Sequence, residues 1–468
     1  MAYRTKVAIV YLLGFFVDLI NMFIANVAYP DIARSLHASI SQLAWVSTGY
    51  ILGLTLVIPL SAWLTKTVGA RRTFLLSLLL FLLATAAAGT AGSIELLIVW
   101  RVLQGFGGGL LIPIGQTLTY QYYRPDERAG LSSVIMLVGL LAPALSPAVG
   151  GLIVDALGWR WIFYLNLPLA LLALTLSIIW LKPEERKTEQ SPLDIAGLCS
   201  GSAVLILLLL GLSRLSEPEH GISGALLVVL GLIMLRGFIR HSVAHSQPIL
   251  NLSLIKEPLM RISMLVYLFI PGIFIGVSMI TMLYLQNILG MSASQVGLLM
   301  IPWSIAAFIA ITLTGKIFNR IGPRPLFICG CLTQGIGMLL LTNIVQAEQL
   351  PSMFIAFACM GFGGSLCSCT AQSTAFLHTE TRHLADASAL WNINRQMGFG
   401  FGVALLSLLL NLMLALKGVG ALDNPALRQP ATQAFHWCFL LAATSALLPL
   451  WLSSRMTNTS ILRDLRNR

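Results

Sequence analysis

Fourteen stretches, each long and apolar enough to cross a bilayer, dominate this chain of 468 residues and leave little sequence for anything else. A spanning helix needs about 20 mostly apolar residues, and averaging hydropathy over about 19 residues marks such stretches along the whole chain. The first six lie near 7–29, 43–65, 73–92, 94–118, 130–154 and 162–181. Two more lie near 195–213 and 223–241, and six near 262–287, 295–317, 325–345, 351–376, 387–416 and 433–453. Only 10% of residues are charged, whereas a soluble domain carries about 25%. The expectation is an all-α integral membrane protein. The first run lacks a small-residue cleavage site and reads as a retained helix.

An even number of spans puts both termini on one side, and the charges say which. Most Lys and Arg fall on the side of the N-terminus, including Arg186, Lys187 and Arg468. The other side keeps only Arg34, Arg160, Arg214, Lys417 and Arg428. The positive-inside bias therefore predicts cytoplasmic termini. It also accounts for most of the net charge of +11, so no nucleic-acid partner is expected. Of the seven cysteines, Cys199, Cys359 and Cys438 are single, while Cys329/Cys331 and Cys367/Cys369 are two apart on helices and face nearly opposite ways. That spacing fits neither a disulfide framework nor a metal site, and no metal or cofactor is expected.

One repeat is visible. SAWLTKTVGARRTFL follows the second span and TGKIFNRIGPRPLF the tenth, with Ala62, Gly69 and Arg71 matching Gly315, Gly322 and Arg324 at a constant spacing of 253 residues. Each copy is a short basic loop on the side of the termini. Two six-helix halves in parallel orientation follow, 1–190 and 251–468, with an inserted pair of spans in 191–250. KPEERKTEQSP, from Lys182 to Pro192, is the polar linker into that insertion.

At this point the chain resembles the major facilitator superfamily, in its fourteen-helix drug:proton antiporter (multidrug efflux) branch. Gly69 and Arg71 stand in a loop similar to the family's glycine/arginine motif. RVLQGFGGG, Arg101 to Gly109 with Gly105, resembles its Arg-x-x-x-Gly helix motif. APALSPAVGG, with Pro143, Pro147, Gly150 and Gly151, is similar to the Gly-Pro-rich antiporter motif, although Ala142 and Ser146 replace glycines. WRWIFYLNLP (Trp159 to Pro168) and NINRQMGFGFGVAL (Asn392 to Leu405) resemble further motifs of the branch. The resemblance implies the major facilitator fold, two six-helix lobes plus two inserted central helices, in a carrier rather than an enzyme. Two departures stand out. Alignment through NVAYP puts Asn21 where the usual aspartate would be, with Asp18 one turn earlier on roughly the same face. In the loop motif Lys66 replaces the usual acid, so a gate held by that acid cannot work in the same way. Lys66 is instead expected to favour the C-terminal end of the second helix electrostatically.

The polar residues inside the spans are few. Asp18 lies about 12 residues into the first run, roughly 18 Å along a helix, and is the one acid deep in the membrane; the histidines lie in loops or near interfaces. A carboxylate at that depth is a functional hypothesis by default, and Asp18 is the best candidate proton carrier. The alternative is a permanently paired structural group. Arg101 is the expected partner, modulating Asp18 or only bonding carbonyls. Gly105, Gly107, Gly108 and Gly109 read as close helix packing rather than a phosphate cradle. Pro143, Pro147, Gly150 and Gly151 read as bending the fifth helix and letting it approach a neighbour. Trp159 and Trp161 read as outer interfacial anchors.

The candidate cavity set is Asp18, Asn21, Asn26, Arg101, Gln104, Trp303, Asn392, Asn394 and Arg395. Arg395 meets a substrate anion or serves structure. With no ATP-binding motif, the expected activity is export of a small molecule by alternating access, driven by protons, with the lipid bilayer, substrate and protons as partners and a monomer as the working state. A single deep acid against two deep arginines keeps open an anionic, zwitterionic or neutral metabolite such as a siderophore. An uptake symporter and a non-transporting sensor are the remaining readings.

Overall fold

In a computed structural model, residues 1–184, 191–420, 422 and 424–466 are described, without the side chains of Asn26, Ile40, Ser41, Pro147, Ala293, Ser294 and Arg466. Arg186, Lys187, Arg468 and most of the 182–192 linker lie outside the described residues. All fourteen apolar stretches are helical. They are α1 (Tyr3–Ile24), α2 (Gln42–Thr67), α3 (Ala70–Gly89), α4 (Ile94–Tyr120), α5 (Arg128–Leu157), α6 (Trp161–Trp180), α7 (Ile195–Leu215) and α8 (Pro218–Ala244). The remainder are α9 (Pro258–Ile288), α10 (Gln295–Ile321), α11 (Pro323–Leu341), α12 (Leu350–Ala375), α13 (Thr381–Leu416) and α14 (Pro425–Ser454). The architecture is all-α, with two six-helix lobes and an inserted α7–α8 pair.

Several spans depart from uniform helix, among them α1, α6 and α9. The first run was expected to continue to residue 29, but α1 stops at Ile24, tightens into a 3-10 turn over Ala25–Ala28, and gives way to a short helix, Tyr29–Leu36. Pro30 explains the break: it lacks the N–H that a continuing helix needs and sits instead in the first turn of the next one. α6 is offset at Leu165, between Trp161–Tyr164 and Asn166–Trp180. In α9 a π turn over Leu268–Gly272 accommodates Pro271. By contrast, α5 remains one helix through Pro143.

Inside the N-terminal lobe α4 packs against α2 and α3; inside the C-terminal lobe α12 packs against α10 and α11. Glycines set both approaches. A Cβ on Gly105 would stand 2.2 Å from the Tyr50 carbonyl oxygen of α2, and one on Gly361 2.3 Å from that of Trp303 in α10. Gly107 faces Ser77 and Phe81 of α3 as Gly363 faces Gly330 and Gln334 of α11. The lobes therefore share GFGG, at Gly105–Gly108 and Gly361–Gly364, a second repeat that glycine-rich composition had hidden. The loop repeat is matched as well. Gly69 (φ +103°) and Gly322 (φ +78°) take conformations that favour glycine. The next residues but one, Arg71 and Arg324, donate backbone N–H groups to Glu184 (2.9 Å) and Asn458 (3.5 Å), each arriving from beyond the last helix of its own lobe. Arg71 also ties its guanidinium to the Leu181 carbonyl at the end of α6 (2.8 Å).

Trp159 is a correction. It is buried beside Phe163 with Arg160 over its ring, whereas Trp161 is exposed. Its aromatic surface and the cation above it are both satisfied inside the lobe, so it is a core residue rather than an interfacial anchor.

The lobes are tied together at the end of the bundle that carries the termini. Lys66 Nζ in the last turn of α2 meets Asp386 Oδ2 in the first turn of α13 at 2.7 Å. Asn392 donates to Gln116 (2.9 Å) and Gln372 to the Tyr120 hydroxyl (3.1 Å). Arg128 at the start of α5 donates to the carbonyls of Phe376 and Thr379 just beyond α12. The acid paired with this loop therefore stands on the opposite lobe, an arrangement unlike a gate held by an acid in the loop itself, and Lys66 lies at the C-terminal end of α2 as its charge favours.

Candidate functional site

The deep polar residues of the N-terminal lobe form one connected group. Asp18 and Asn21, one turn apart on α1, are both fully buried. Tyr50 of α2 donates its hydroxyl to Asp18 Oδ1, and Asp18 Oδ2 has no hydrogen-bond partner among the described residues. Gly108 creates the niche, because a Cβ there would lie 2.0 Å from Asp18 Oδ1. Asn166 of α6 donates to Asn21 Oδ1 at 3.3 Å.

Arg101 is also fully buried, but it does not touch Asp18. Its guanidinium donates to the carbonyls of Val46 (2.9 Å) and Asn21 (3.3 Å) and to Gln104 Oε1 (3.1 Å), and lies 4.5 Å from the Tyr50 ring centroid. Gln104 donates to Thr85 of α3 at 2.7 Å. In this conformation Tyr50 stands between acid and arginine, bonded to one and stacked under the other. The direct Asp18–Arg101 pair expected from sequence is absent here for that reason. Five helices, α1, α2, α3, α4 and α6, thus converge on a single carboxylate with a spare oxygen, where any change in its charge is felt by an aromatic hydroxyl and a fixed cation.

The C-terminal candidates fall into three places. Arg395 of α13 faces α1, its guanidinium 5.8 Å from the Phe15 ring centroid, and its Nε is buried without a partner among the described residues. Asn392 joins the closed terminal end through Gln116, and Asn394 donates to the Met264 carbonyl of α9 at 3.2 Å, bracing its own lobe. Trp303 stacks on Phe274 with ring centroids 5.5 Å apart. Asn26 falls in the 3-10 turn after α1, and its side chain is outside the described residues. A cavity of about 1300 Å³ opens at the terminal end below α7–α8 and is lined by Lys66, Asp386 and Asp194 among others; the deep residues do not line it.

Sequence reasoning missed Tyr50, Thr85, Asn166 and the specific role of Gly108. Asn166 was legible as a second deep amide in WRWIFYLNLP, whereas Tyr50 and Thr85 looked like ordinary span residues.

Residues 11–403 and 264–456 match the profile of the Major Facilitator Superfamily. The chain belongs to that family. Its fold is one of transport rather than catalysis, and several of its curated relatives carry drug-resistance or drug-efflux names. It is 32% identical over 400 residues to a Multidrug resistance protein B homolog of Mycobacterium tuberculosis (strain CDC 1551 / Oshkosh), covering 84% of this chain and 73% of the relative. It is 27% identical over 462 residues to the Putative multidrug resistance protein MdtD of Enterobacter sp. (strain 638), covering 95% and 93%. Among solved structures, the human organic anion transporter MFSD10 superposes with a TM-score of 0.67 at 15% identity, over 97% of this chain and 100% of that one. The proton:xylose symporter XylE does so with 0.65 at 15%, over 99% and 98%. At that identity the likeness is one of fold. This major facilitator protein is a multi-pass secondary transporter resembling multidrug efflux proteins.

Proposed function

We propose that the protein exports a small molecule in exchange for protons, as a member of the fourteen-helix drug:proton antiporter branch, from a plasma membrane with both termini cytoplasmic. The working division is 1–190 and 251–468 as moving lobes with 191–250 inserted between them. On this reading the contacts at the terminal end, Lys66–Asp386 among them, are ones that the lobes exchange as access alternates.

The observation that carries the proposal is the Asp18 niche: one acid, fully buried, with one oxygen held by Tyr50 and the other unpartnered. Such a group can take a proton without first breaking an ion pair. Arg101, held nearby by carbonyls and Gln104, supplies the fixed positive charge against which protonation is felt. Alternating access then requires only that the carboxyl be neutral in one lobe arrangement and ionised in the other.

Charge decides what kind of substrate this arrangement can exchange for a proton. A cationic group stabilises ionised Asp18 and so competes with the proton, which gives antiport. A bare anion at Arg395 binds best when Asp18 is protonated, which moves protons and substrate together. Arg395, lacking a hydrogen bond at Nε, favours as a second reading a zwitterionic metabolite whose cationic end still competes at Asp18.

The test is proton movement in proteoliposomes under an imposed pH gradient, with cationic, zwitterionic, neutral and anionic compounds added in turn to wild type and Asp18→Asn. Substrate-dependent proton release that vanishes in the variant is the expected result. Proton flux that persists in Asp18→Asn overturns the assignment of the carrier. Flux in the same direction as substrate would make the protein a symporter, and no flux with any compound from folded protein would favour a sensor.

A further inference from the structure

The inserted pair carries a cluster that the transport cycle does not use. Asp194, immediately before α7, is buried and caps that helix: its Oδ1 accepts from the Gly197 amide at 2.8 Å. The same oxygen lies 2.8 Å from His241 Nε2 in the last turn of α8, and Oδ2 accepts from the Ile249 amide at 3.3 Å. His245, four residues after His241, brings its ring to 5.2 Å from the His241 ring. One ligating atom from each of the three residues lies within 4.8 Å of the others.

We propose that Asp194, His241 and His245 form a binding site for one divalent transition-metal ion of the zinc type. The chemistry of the donors is that of such a site: two imidazoles and a carboxylate suit zinc, cobalt or nickel, whereas magnesium and calcium prefer oxygen ligands throughout. The geometry is close. Bonds of about 2.0–2.1 Å to a tetrahedral zinc place ligand atoms roughly 3.3 Å apart. Asp194 Oδ1 and His241 Nε2, now 2.8 Å apart in a hydrogen bond, reach that spacing once the metal displaces the shared proton, His241 then carrying its N–H at Nδ1, and His245, half-buried at the end of its helix, closes the remainder by side-chain rotation.

A fastening role for the cluster accounts for only two of its members. The Asp194–His241 bond knits the start of α7 to the end of α8 without His245. His245 accepts the Gln247 amide at Nδ1 (3.2 Å), and its Nε2 has no partner among the described residues. Ligation through Nε2 moves the imidazole proton to Nδ1 and releases the Gln247 amide to water, so one surface hydrogen bond is exchanged for a coordinate bond. Access is provided as well, because Asp194 and His245 line the 1300 Å³ cavity at the terminal end, where water completes the coordination. The sequence hid the site because its ligands are split between Asp194 and a His-x-x-x-His pair, far apart in the chain.

The experiment uses the full chain without a polyhistidine tag, purified in detergent and stripped with EDTA, then titrated with zinc chloride against a chromophoric chelator. One saturable equivalent is expected, with affinity falling about tenfold or more in His245→Ala and in His241→Ala. Zinc should raise the unfolding temperature of wild type and not that of His245→Ala, whose Asp194 bonds are intact. Cys199→Ser, on the same helix as the cluster's cap, should bind as wild type does. Absence of a saturable equivalent, or equal affinity in wild type and both histidine variants, overturns the proposal. Because the readout is binding and stability, it is independent of whether the protein moves protons.

Discussion

Around Gly105 and Gly361 the two lobes are built alike, and what they enclose is opposite. Tyr50 and Trp303 stand 253 residues apart, as do Asn21 and Phe274, Thr85 and Met338, and Asp18 and Pro271. Arg101 and Gln104 correspond, through the GFGG repeat, to Phe357 and Met360. These six polar residues thus stand opposite largely apolar positions, and Met338, Phe357 and Met360 are as deeply buried as Thr85, Arg101 and Gln104. The backbone spacing is preserved by the same glycine contacts, so the difference is chemical rather than architectural. One lobe carries the group that can change charge. The other is more closely packed around its matching glycines, and its half-buried Arg395 faces α1. A deep carboxyl is costly to bury, and among the described residues the matched positions of the other lobe carry none.

The largest expected effect is at the charge itself. Asp18→Asn should abolish substrate-linked proton movement while the protein remains folded, since an amide of the same shape keeps the niche filled. Met360→Leu, at a matched site of the other lobe, should leave the proton flux unchanged within about twofold, as expected for a volume-conserving swap. Loss of coupling from a conservative change in the apolar lobe would break the comparison.

Next come the glycines, where the lobes should behave alike. Gly105→Ala and Gly361→Ala each force a methyl against a backbone carbonyl, and each should cost about 3 kcal/mol of stability by thermal unfolding. Three residues later the symmetry should fail. Gly108→Ala meets Asp18 Oδ1 at 2.0 Å, whereas Gly364→Ala meets the end of the Gln334 side chain at 2.7 Å. The first should therefore damage proton flux severely and the second only mildly; equal damage would mean that Gly108 serves packing alone.

These contrasts also mark how far the sequence could be read. Span number and the two-lobed plan follow from hydropathy and the loop repeat, because a bilayer admits few ways to satisfy a buried backbone. Asp18 and Arg101 were conspicuous because deep charge is rare. Tyr50 was not, since an aromatic hydroxyl in an apolar span carries no pattern, and its position between Asp18 and Arg101 arises only when α1, α2 and α4 meet. Lys66 was legible only in part: its place at the end of α2 followed from the loop motif, but its partner, Asp386, is on the other lobe, and nothing local links them.

That pair supplies a smaller, reversible contrast between the lobes. Lys66→Ala leaves Asp386, whose side chain is only 4% exposed, without its counter-ion. Because Lys66 itself is partly solvated, the loss should be about 2 kcal/mol rather than the full penalty of a dry pair. Hydrogen–deuterium exchange should rise at the end of α2 and the start of α13. Exchanging the charges, Lys66→Asp with Asp386→Lys, should recover only part of the protection, since each charge then opposes its helix dipole. Full recovery would show that the dipoles contribute nothing to the choice of which lobe holds the acid.

The smallest effect is at the matched aromatic pair. Tyr50→Phe removes the hydroxyl from Asp18 and little else, a hydrogen bond to a charged group contributing about 1.5 kcal/mol. The carboxylate then loses its one described donor, so proton uptake and lobe movement should separate, lowering the number of protons moved per substrate. Trp303→Phe keeps the stack on Phe274 and involves no titrating partner, so it should alter substrate affinity without altering that ratio. Measured side by side in proteoliposomes, a lowered ratio in Tyr50→Phe alone would tie coupling to the polar lobe through this hydroxyl. An equal change in both variants would place the coupling in the movement of the lobes, with the shared scaffold rather than the Asp18 niche setting the stoichiometry.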